Sequence, residues 1–325
     1  MPLLFNNGQQ QHTVYNNPIS VNDFNSSGLT ETRENIRMET ASMTFRNWCF
    51  EGFRMGRFVL EQNRETVYEI KNNIDAVKIY FNRRGSHHSH YRQVSKKILL
   101  RSGQCNMLYS DELDTHVSHI DNYSEIFTLQ FTRECFLDLL EQGGFIMDQF
   151  SGKLARKQPV LFSNQWLSID PAMDKCIHDI LHCPFRADMK KIYLRSKAIE
   201  LLVLFAGSAD ERKSTGFQVK DLNDKEKLYF ARDYLTQNYA NPNSLPELAK
   251  IAGLNEFKLK QGFKSLFNTS AIDFLINYRL EHAHDLLLNT KKSISEVAYE
   301  TGYTSPSYFG KAFKKKYGIS PKKIS

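Results

Sequence analysis

Seven side chains near one end of the sequence have the types and spacing to contact phosphates and base edges. They are Phe257, Lys260, Gln261 and Lys264, followed by Ser307, Lys311 and Lys314. Positions 257, 261 and 264 fall on one face of a helix turning about 100° per residue. They recur fifty residues later as 307, 311 and 314. Lysine and glutamine donate to phosphates or to base edges, and an α-helix fits the DNA major groove. One lysine-bearing helix face is usually no more than a solvated surface; its recurrence at a fixed offset argues for more.

Other residues could support different chemistry, and each has a plainer reading. His87, His88, His90, His116 and His119 are metal-ligand types, but His88-x-His90 lacks the downstream Glu and glycine-flanked second motif of metal-binding cupins. A solvated histidine loop is the expectation. His178 and His182, with Cys176 and Cys183 close by, precede Pro184 and suit packing at a helix end better than zinc. Asp111-Glu112-x-Asp114 reads as a solvated acidic turn. P-loop, G-x-S-x-G, H-E-x-x-H and C-x-x-C patterns do not occur. We expect no catalytic group, no metal and no cofactor; the alternative is a metal-dependent cupin-type enzyme with an accessory DNA-binding module. The 15 Tyr and 23 Phe permit an aromatic-lined pocket for a small organic ligand, although aromatic core is the default.

The recurring faces need elements to hold them, and those elements recur too. Leu245, Glu247, Leu248, Ala249, Gly253 and Leu254 return as Ile294, Glu296, Val297, Ala298, Gly302 and Tyr303, then Leu259, Phe263 and Lys264 as Phe309, Phe313 and Lys314. Ser244 with Glu247, and Ser293 with Glu296, are S-x-x-E capping boxes that start a helix. Ala249 and Ala298 permit close helix approach. Gly253 and Gly302 stand where a helix ends in a left-handed residue. Asn255 and Ser305 then cap second helices, with Pro306 at the first helical position. Helix, glycine turn, helix is the helix-turn-helix unit. Leu259, Phe263 and Leu266 should face inward in the first copy, and Phe309, Phe313 and Lys316 should share one side in the second. Ala271–Asn289 reads as a connecting helix with Ile272, Leu275, Ile276, Leu280, Ala283, Leu286 and Leu287 on one side.

The run Arg279-Leu280, Ala283, Leu286-Leu287, Ile294-x-Glu296-Val297-Ala298, Gly302-Tyr303, Ser307-Tyr308-Phe309, Phe313-Lys314-Lys315 and Gly318-Ile319-Ser320-Pro321 resembles the signature of AraC-type (AraC/XylS) transcription regulators. The resemblance covers residues 222–325. It implies two units in adjacent major grooves of double-stranded DNA, with Phe257, Lys260, Gln261, Ser307 and Lys311 at base-reading places. It also implies a ligand-responsive activator, a homodimer and RNA polymerase as a partner. Two positions depart from the pattern: Asn268 stands where the second copy has Gly318, and Gly262 is a weak helix former inside the first reading helix. Glu256-Phe257-Lys258-Leu259 with Gly262-Phe263, and Tyr193-Leu194 with Lys197-Ala198-Ile199-Glu200-Leu201-Leu202, are similar to the siderophore-responsive subgroup, which implies a siderophore-like small-molecule effector.

The rest of the 325 residues fits such a layout. The net charge of +7 is uneven: residues 1–220 hold 27 Lys/Arg against 25 Asp/Glu (+2), and residues 221–325 hold 16 against 11 (+5). The expected fold is α+β, a small N-terminal β-barrel or sandwich, cupin-like, with helices, followed by an all-α domain of two helix-turn-helix units. The expected divisions are a flexible arm or loosely attached strands over 1–39, a β-rich sensor domain over 40–165, interdomain or dimerisation helices over 166–206, a linker over 207–221 and the DNA-binding domain over 222–325. Strands are expected at Val67–Ile70, Ala76–Phe81 and Glu125–Phe131, and a helix at Arg133–Gln142. Met173, Ile177, Ile180 and Leu181 form one amphipathic stripe; Ile192, Leu194, Ala198, Leu201, Leu202 and Phe205 suggest a second, more buried helix. Five scattered cysteines and the lack of a secretory signal or an apolar run long enough to span a bilayer point to the cytoplasm, with no membrane partner. A front domain that only dimerises, or contacts another protein without any ligand, is equally compatible.

Overall fold

The computed structural model describes the chain outside residues 1–3, 8–11, 17–20, 73, 93–95, 144–147, 164–165, 215–218, 220, 268 and 325. It divides into two units, Met1–Ala209 and Asp210–Ser325.

The first unit carries strands β1 (Leu4–Asn7), β2 (His12–Asn16), β3 (Thr30–Arg37), β4 (Ala41–Phe50), β5 (Phe53–Gln62), β6 (Val67–Asn72), β7 (Ala76–Arg84), β8 (His87–Tyr91), β9 (Lys96–Leu100), β10 (Gln104–Ser110), β11 (Leu113–His119), β12 (Tyr123–Thr132), β13 (Val160–Leu161) and β14 (Leu167–Ser168). Its helices are α1 (Val21–Asn25), α2 (Arg133–Gly143), α3 (Asp148–Ala155), α4 (Pro171–Leu181) and α5 (Ala187–Ser214). One sheet runs β2-β1-β6-β11-β8-β9; the other runs β13-β10-β7-β12-β5-β4-β3, with β14 also on β10. Both have open ends, so the sandwich half of the barrel-or-sandwich expectation holds and the closed barrel does not.

Alternation along each strand splits the larger sheet into two faces. Val77, Ile79, Phe81, Phe127, Leu129, Phe131, Met107 and Trp48 pack against Phe136, Phe150, Met173, Ile177, Leu194, Leu201 and Phe205 from α2 to α5. Lys78, Tyr80, Gln130 and Thr128, one residue out of step, turn toward the smaller sheet. There Met43, Phe45 and Leu60 meet Tyr68, and Leu108 meets Tyr91. The layers are sheet, sheet, helices.

One expectation for this unit is narrowed and two need correction. Of the arm or loosely attached strands read over 1–39, Thr30–Arg37 is a strand, at one end of the larger sheet and in register with β4 from Thr30↔Cys49 to Arg37↔Ser42. Its polar outward side chains, such as Glu31 on Arg46 at 3.0 Å, are what a terminal strand tolerates and what makes it read as loop. The linker expected at 207–221 is helical as far as Ser214, because one glycine weakens a helix by only about 1 kcal/mol. Ile192, expected in the buried stripe of α5, is 62% exposed.

A buried ion network ties sheet to helix. Glu125 on β12 accepts from Arg57 and Arg83, each at 2.8 Å, and Arg83 also reaches Asp174 on α4 at 2.8 Å. Burial would raise the Glu125 carboxyl, but Arg83, Arg57 and Arg84 outweigh it and hold it at about 2.

The second unit is helical: α6 (Leu222–Gln237), α7 (Leu245–Ile251), α8 (Glu256–Phe267), α9 (Ala271–Asn289), α10 (Ile294–Glu300), α11 (Pro306–Tyr317) and a short 3-10 turn at Pro321–Lys323. It has two small cores. Ala271, Phe274 and Leu275 of α9 join Leu228, Leu248, Leu259 and Phe263; Leu280, Ala283 and Leu287 of the same helix join Val297, Phe309 and Phe313. Thus α9 runs through both cores, although Ile272, placed by spacing on its apolar side, is half exposed.

Candidate nucleic-acid interface

Each reading helix is held by a local device that the sequence spells twice. At α7, Glu247 accepts from both the N–H (2.9 Å) and the hydroxyl (2.7 Å) of Ser244. At α10 the box is reciprocal: Ser293 N–H donates to Glu296 at 2.7 Å and Glu296 N–H to the Ser293 hydroxyl at 3.3 Å. Both turns close alike. Gly253 and Gly302 have φ of +66° and +81°, and the N–H of Leu254 and of Tyr303 donates to Ala249 and Ala298 carbonyls at 2.9 Å. That is a Schellman closure, which satisfies carbonyls the helix end would leave open. Asn255 then caps α8 by accepting from Lys258 N–H at 2.7 Å.

Ser305, expected to cap α11, makes no side-chain cap hydrogen bond, and in both second helices the buried side chains set which face turns outward. Leu259, Phe263 and Leu266 are buried, as are Phe309 and Phe313. Phe257, Lys260, Gln261 and Lys264 of α8, and Ser307, Lys311 and Lys314 of α11, are all exposed. The seven differ in what they already touch. Lys260 pairs with Glu256 one turn back at 2.5 Å; Lys258 beside it pairs with Asp224 of α6 at 2.7 Å. Lys264, Lys311 and Lys314 have no acidic partner among the described residues. Lys316, expected on the Phe313 side, donates to Glu281 at 2.7 Å and to the Asn277 carbonyl at 3.1 Å, both on α9.

Gly262 has a reason the sequence did not give. A Cβ there would lie 2.6 Å from Leu228 Cδ1, so the glycine lets α8 lie directly on α6. Asn268, the other departure, lies outside the described residues.

Sequence reasoning quoted Arg279 as part of a signature but gave it no role. From α9 its Nε donates to the Tyr239 carbonyl at 2.7 Å and its Nη2 to Ala240 at 3.2 Å, while the guanidinium lies 5.9 Å from the Tyr303 ring centroid. It links the connecting helix, the segment after α6 and the turn of the second unit. The hint in the sequence was that it is the one Arg or Lys in α9.

The remaining candidates sit elsewhere. His87 and His119 are not in a solvated loop; they lie in β8 and β11, buried, with ring centroids 5.1 Å apart. Burial pulls both imidazoles below their ordinary range, His119 to about 4. His116 lies beside Glu69 at 3.3 Å, with Asp114 close by. Glu69 is held by Lys71 and Asp114 by Arg92. His178 and His182 stack at 4.1 Å, and the Cys176 thiol turns to the Lys197 carbonyl. Among the described residues no helix is long and apolar enough to cross a membrane.

Residues 248–325 match the helix-turn-helix domain family, and residues 51–219, 169 of the 325, match the Regulatory protein PchR N-terminal domain. The chain is 25% identical over 182 residues to the virulence regulon transcriptional activator VirF of Yersinia enterocolitica, covering 56% of this chain and 65% of VirF. It is 37% identical over 127 residues to the regulatory protein PchR of Pseudomonas aeruginosa, covering 38% of this chain and 42% of PchR. The matches therefore span less than two thirds of these relatives. The solved structure of ToxT from Vibrio cholerae overlaps 84% of this chain and 97% of its own at 13% identity, with a TM-score of 0.31. The families and relatives matched are regulators, which displaces the enzyme alternative. With the doubled helix-turn-helix at one end and the PchR domain before it, the chain belongs to the AraC-type transcription regulators.

Proposed function

We propose that the chain is a homodimeric, ligand-controlled transcription activator that grips paired DNA sites through α8 and α11. The observation that carries this is the repeated outward face, two helices that each leave Lys, Gln or Ser side chains in solvent above a closed core. VirF, named a transcriptional activator, supports the direction of control. RNA polymerase is the partner an activator must recruit, and the cytoplasm is where it would meet the chromosome. A siderophore-like effector remains a reading from the subgroup resemblance.

The decisive experiment selects binding sites from random duplexes with the full chain. Lys311→Ala should then weaken the selected site by about 1–3 kcal/mol while barely moving random DNA. Lys314→Ala should weaken both alike and flatten the salt dependence. Identical behaviour of the two variants on both DNAs rejects the assignment of base reading to Lys311 and phosphate contact to Lys314.

The surface of α5 supports the dimer. Met189, Ile192, Ser196, Ile199 and Val203 follow one another at spacings of three and four; Met189, Ile192 and Val203 are exposed, and Ile199 is partly buried against the core. That is the spacing a two-helix coiled-coil seam would need. Arg195 and Glu200 flank it five residues apart, the separation at which parallel helices exchange ion pairs. Ile192→Glu with Val203→Glu should convert the dimer to monomer in sedimentation equilibrium at micromolar concentration; a double variant as dimeric as wild type would exclude α5.

A further inference from the structure

A buried hydrogen-bond acceptor left without a donor is uncommon, and each one asks what satisfies it. Asp114 of β11 is such a case. Its Oδ2 accepts from Arg92 at 2.9 Å, but its Oδ1 is closed off from solvent and has no hydrogen-bond partner among the described residues. Asp114 stands on the outer face of the smaller sheet. Tyr68, Tyr91 and Val117 are buried in the sandwich, so Glu69, His90 and His116, each one residue out of step, lie on the opposite face. Asp114, two residues before His116, shares that face.

Register gathers metal-ligand types around that carboxylate. Glu69 on β6 lies directly opposite His116 on β11, and His116 directly opposite His90 on β8. One oxygen of Glu69, one of Asp114 and a ring nitrogen of His116 lie within 4.8 Å of one another. His116 Nε2 and Glu69 Oε1 are 3.3 Å apart. A charge-assisted hydrogen bond would draw them to roughly 2.7–2.9 Å. Two ligand atoms of a tetrahedral zinc, with bonds of about 2.0–2.2 Å, stand ~3.4 Å apart. The cations already at these carboxylates do not close the cluster. The Lys71 side chain on Glu69 is 43% exposed and that of Arg92 on Asp114 is 52% exposed. Ion pairs to such exposed side chains add little stability, and both cations can turn to solvent.

We propose that Glu69, Asp114 and His116 bind a divalent transition-metal ion of the zinc class, with His90 as the fourth ligand. Carboxylates alone would favour magnesium or calcium; imidazole beside them shifts the preference to zinc and its neighbours. The ion would satisfy Asp114 Oδ1 and pin β6, β11 and β8 to one another. Neither DNA binding nor a small-molecule effector enters this reading, so it stands or falls apart from them.

The probes are zinc chloride and magnesium chloride, added to the full chain free of any histidine tag and followed by calorimetric titration and thermal unfolding. Zinc should bind saturably and raise the Tm of the N-terminal unit; magnesium at the same concentrations should do neither. His116→Ala, Glu69→Gln and His90→Ala should each weaken zinc by at least about tenfold, the least that even an outer-shell change costs a metal site. All three positions are partly exposed, so the metal-free variants should fold, with a circular dichroism spectrum like wild type. His182→Ala, which removes half of the stacked pair on α4, is the control and should keep the wild-type zinc response. No saturable zinc binding, equal binding of zinc and magnesium, or undiminished zinc affinity in the three variants overturns the proposal. So does a zinc response lost in His182→Ala but kept in His116→Ala, which would put the ion on α4.

Discussion

Gly302→Ala is expected to destabilise the C-terminal unit by about 3 kcal/mol and to remove most specific DNA binding. Two effects add. An alanine at φ +81° carries left-handed strain of roughly 1–2 kcal/mol. Its Cβ would also lie 2.4 Å from the Ala240 carbonyl oxygen, 2.8 Å from Ala240 Cα and 2.7 Å from Arg279 Nη2. The first two are backbone, so the turn itself must move, and overpacking of this kind costs roughly 1–3 kcal/mol. The movement would break the Arg279 contact and tilt α11, forfeiting the base contacts proposed for it at about 1–3 kcal/mol each. Gly253→Ala and Gly318→Ala are the controls. They share positive φ, but the nearest atom to a Cβ at 253 is a Lys227 side-chain carbon at 3.6 Å, and nothing lies near 318. Each should cost about 1 kcal/mol and leave binding largely intact. Urea unfolding and a site-selected duplex decide it; equal losses in all three would show that strain alone acts.

The second large effect is in the N-terminal unit. Glu125→Ala should lower its stability by about 3–5 kcal/mol, because Arg83 and Arg57 stay buried or half-buried without their shared carboxylate. The same network sets the acid limit. The Glu125 carboxyl is held at about 2, against 4.5 for an ordinary glutamate. A folded-state pKa below the unfolded one means stability that is complete above about pH 4.5 and drains away as pH falls toward 2, on the order of 3 kcal/mol in all. Glu125→Gln should keep part of the hydrogen bonding and lose that acid slope. Near-UV circular dichroism in urea from pH 6 to pH 2.5 tests both; an unchanged slope in the Gln variant would move the acid limit to another group.

These two predictions differ in how visible they were beforehand. Gly302 and Gly253 look interchangeable in the sequence, since the repeat aligns them, and their φ values agree. What separates them is Ala240 and Arg279, which approach from 62 and 23 residues away. Glu125 was legible only as one residue of an alternating strand.

Elements governed by near neighbours in the chain could be read directly. The capping boxes, the positive-φ glycines, the N-cap at Asn255 and the full span of α9 come from hydrogen bonds and φ preferences acting over three to five residues. The repeat then told how many such units to expect and which faces matched. Elements governed by distant partners could not be read. Whether Thr30–Arg37 is arm or strand depends on β4, and whether His87 lies in a loop or in the interior depends on β11. Whether Ile192 is core depends on which side of α5 meets the sheet. A polar row such as Glu69, His116 and His90 exists only once three strands are in register, because hydrogen-bonded pairing across a sheet carries no signature in any one of its strands.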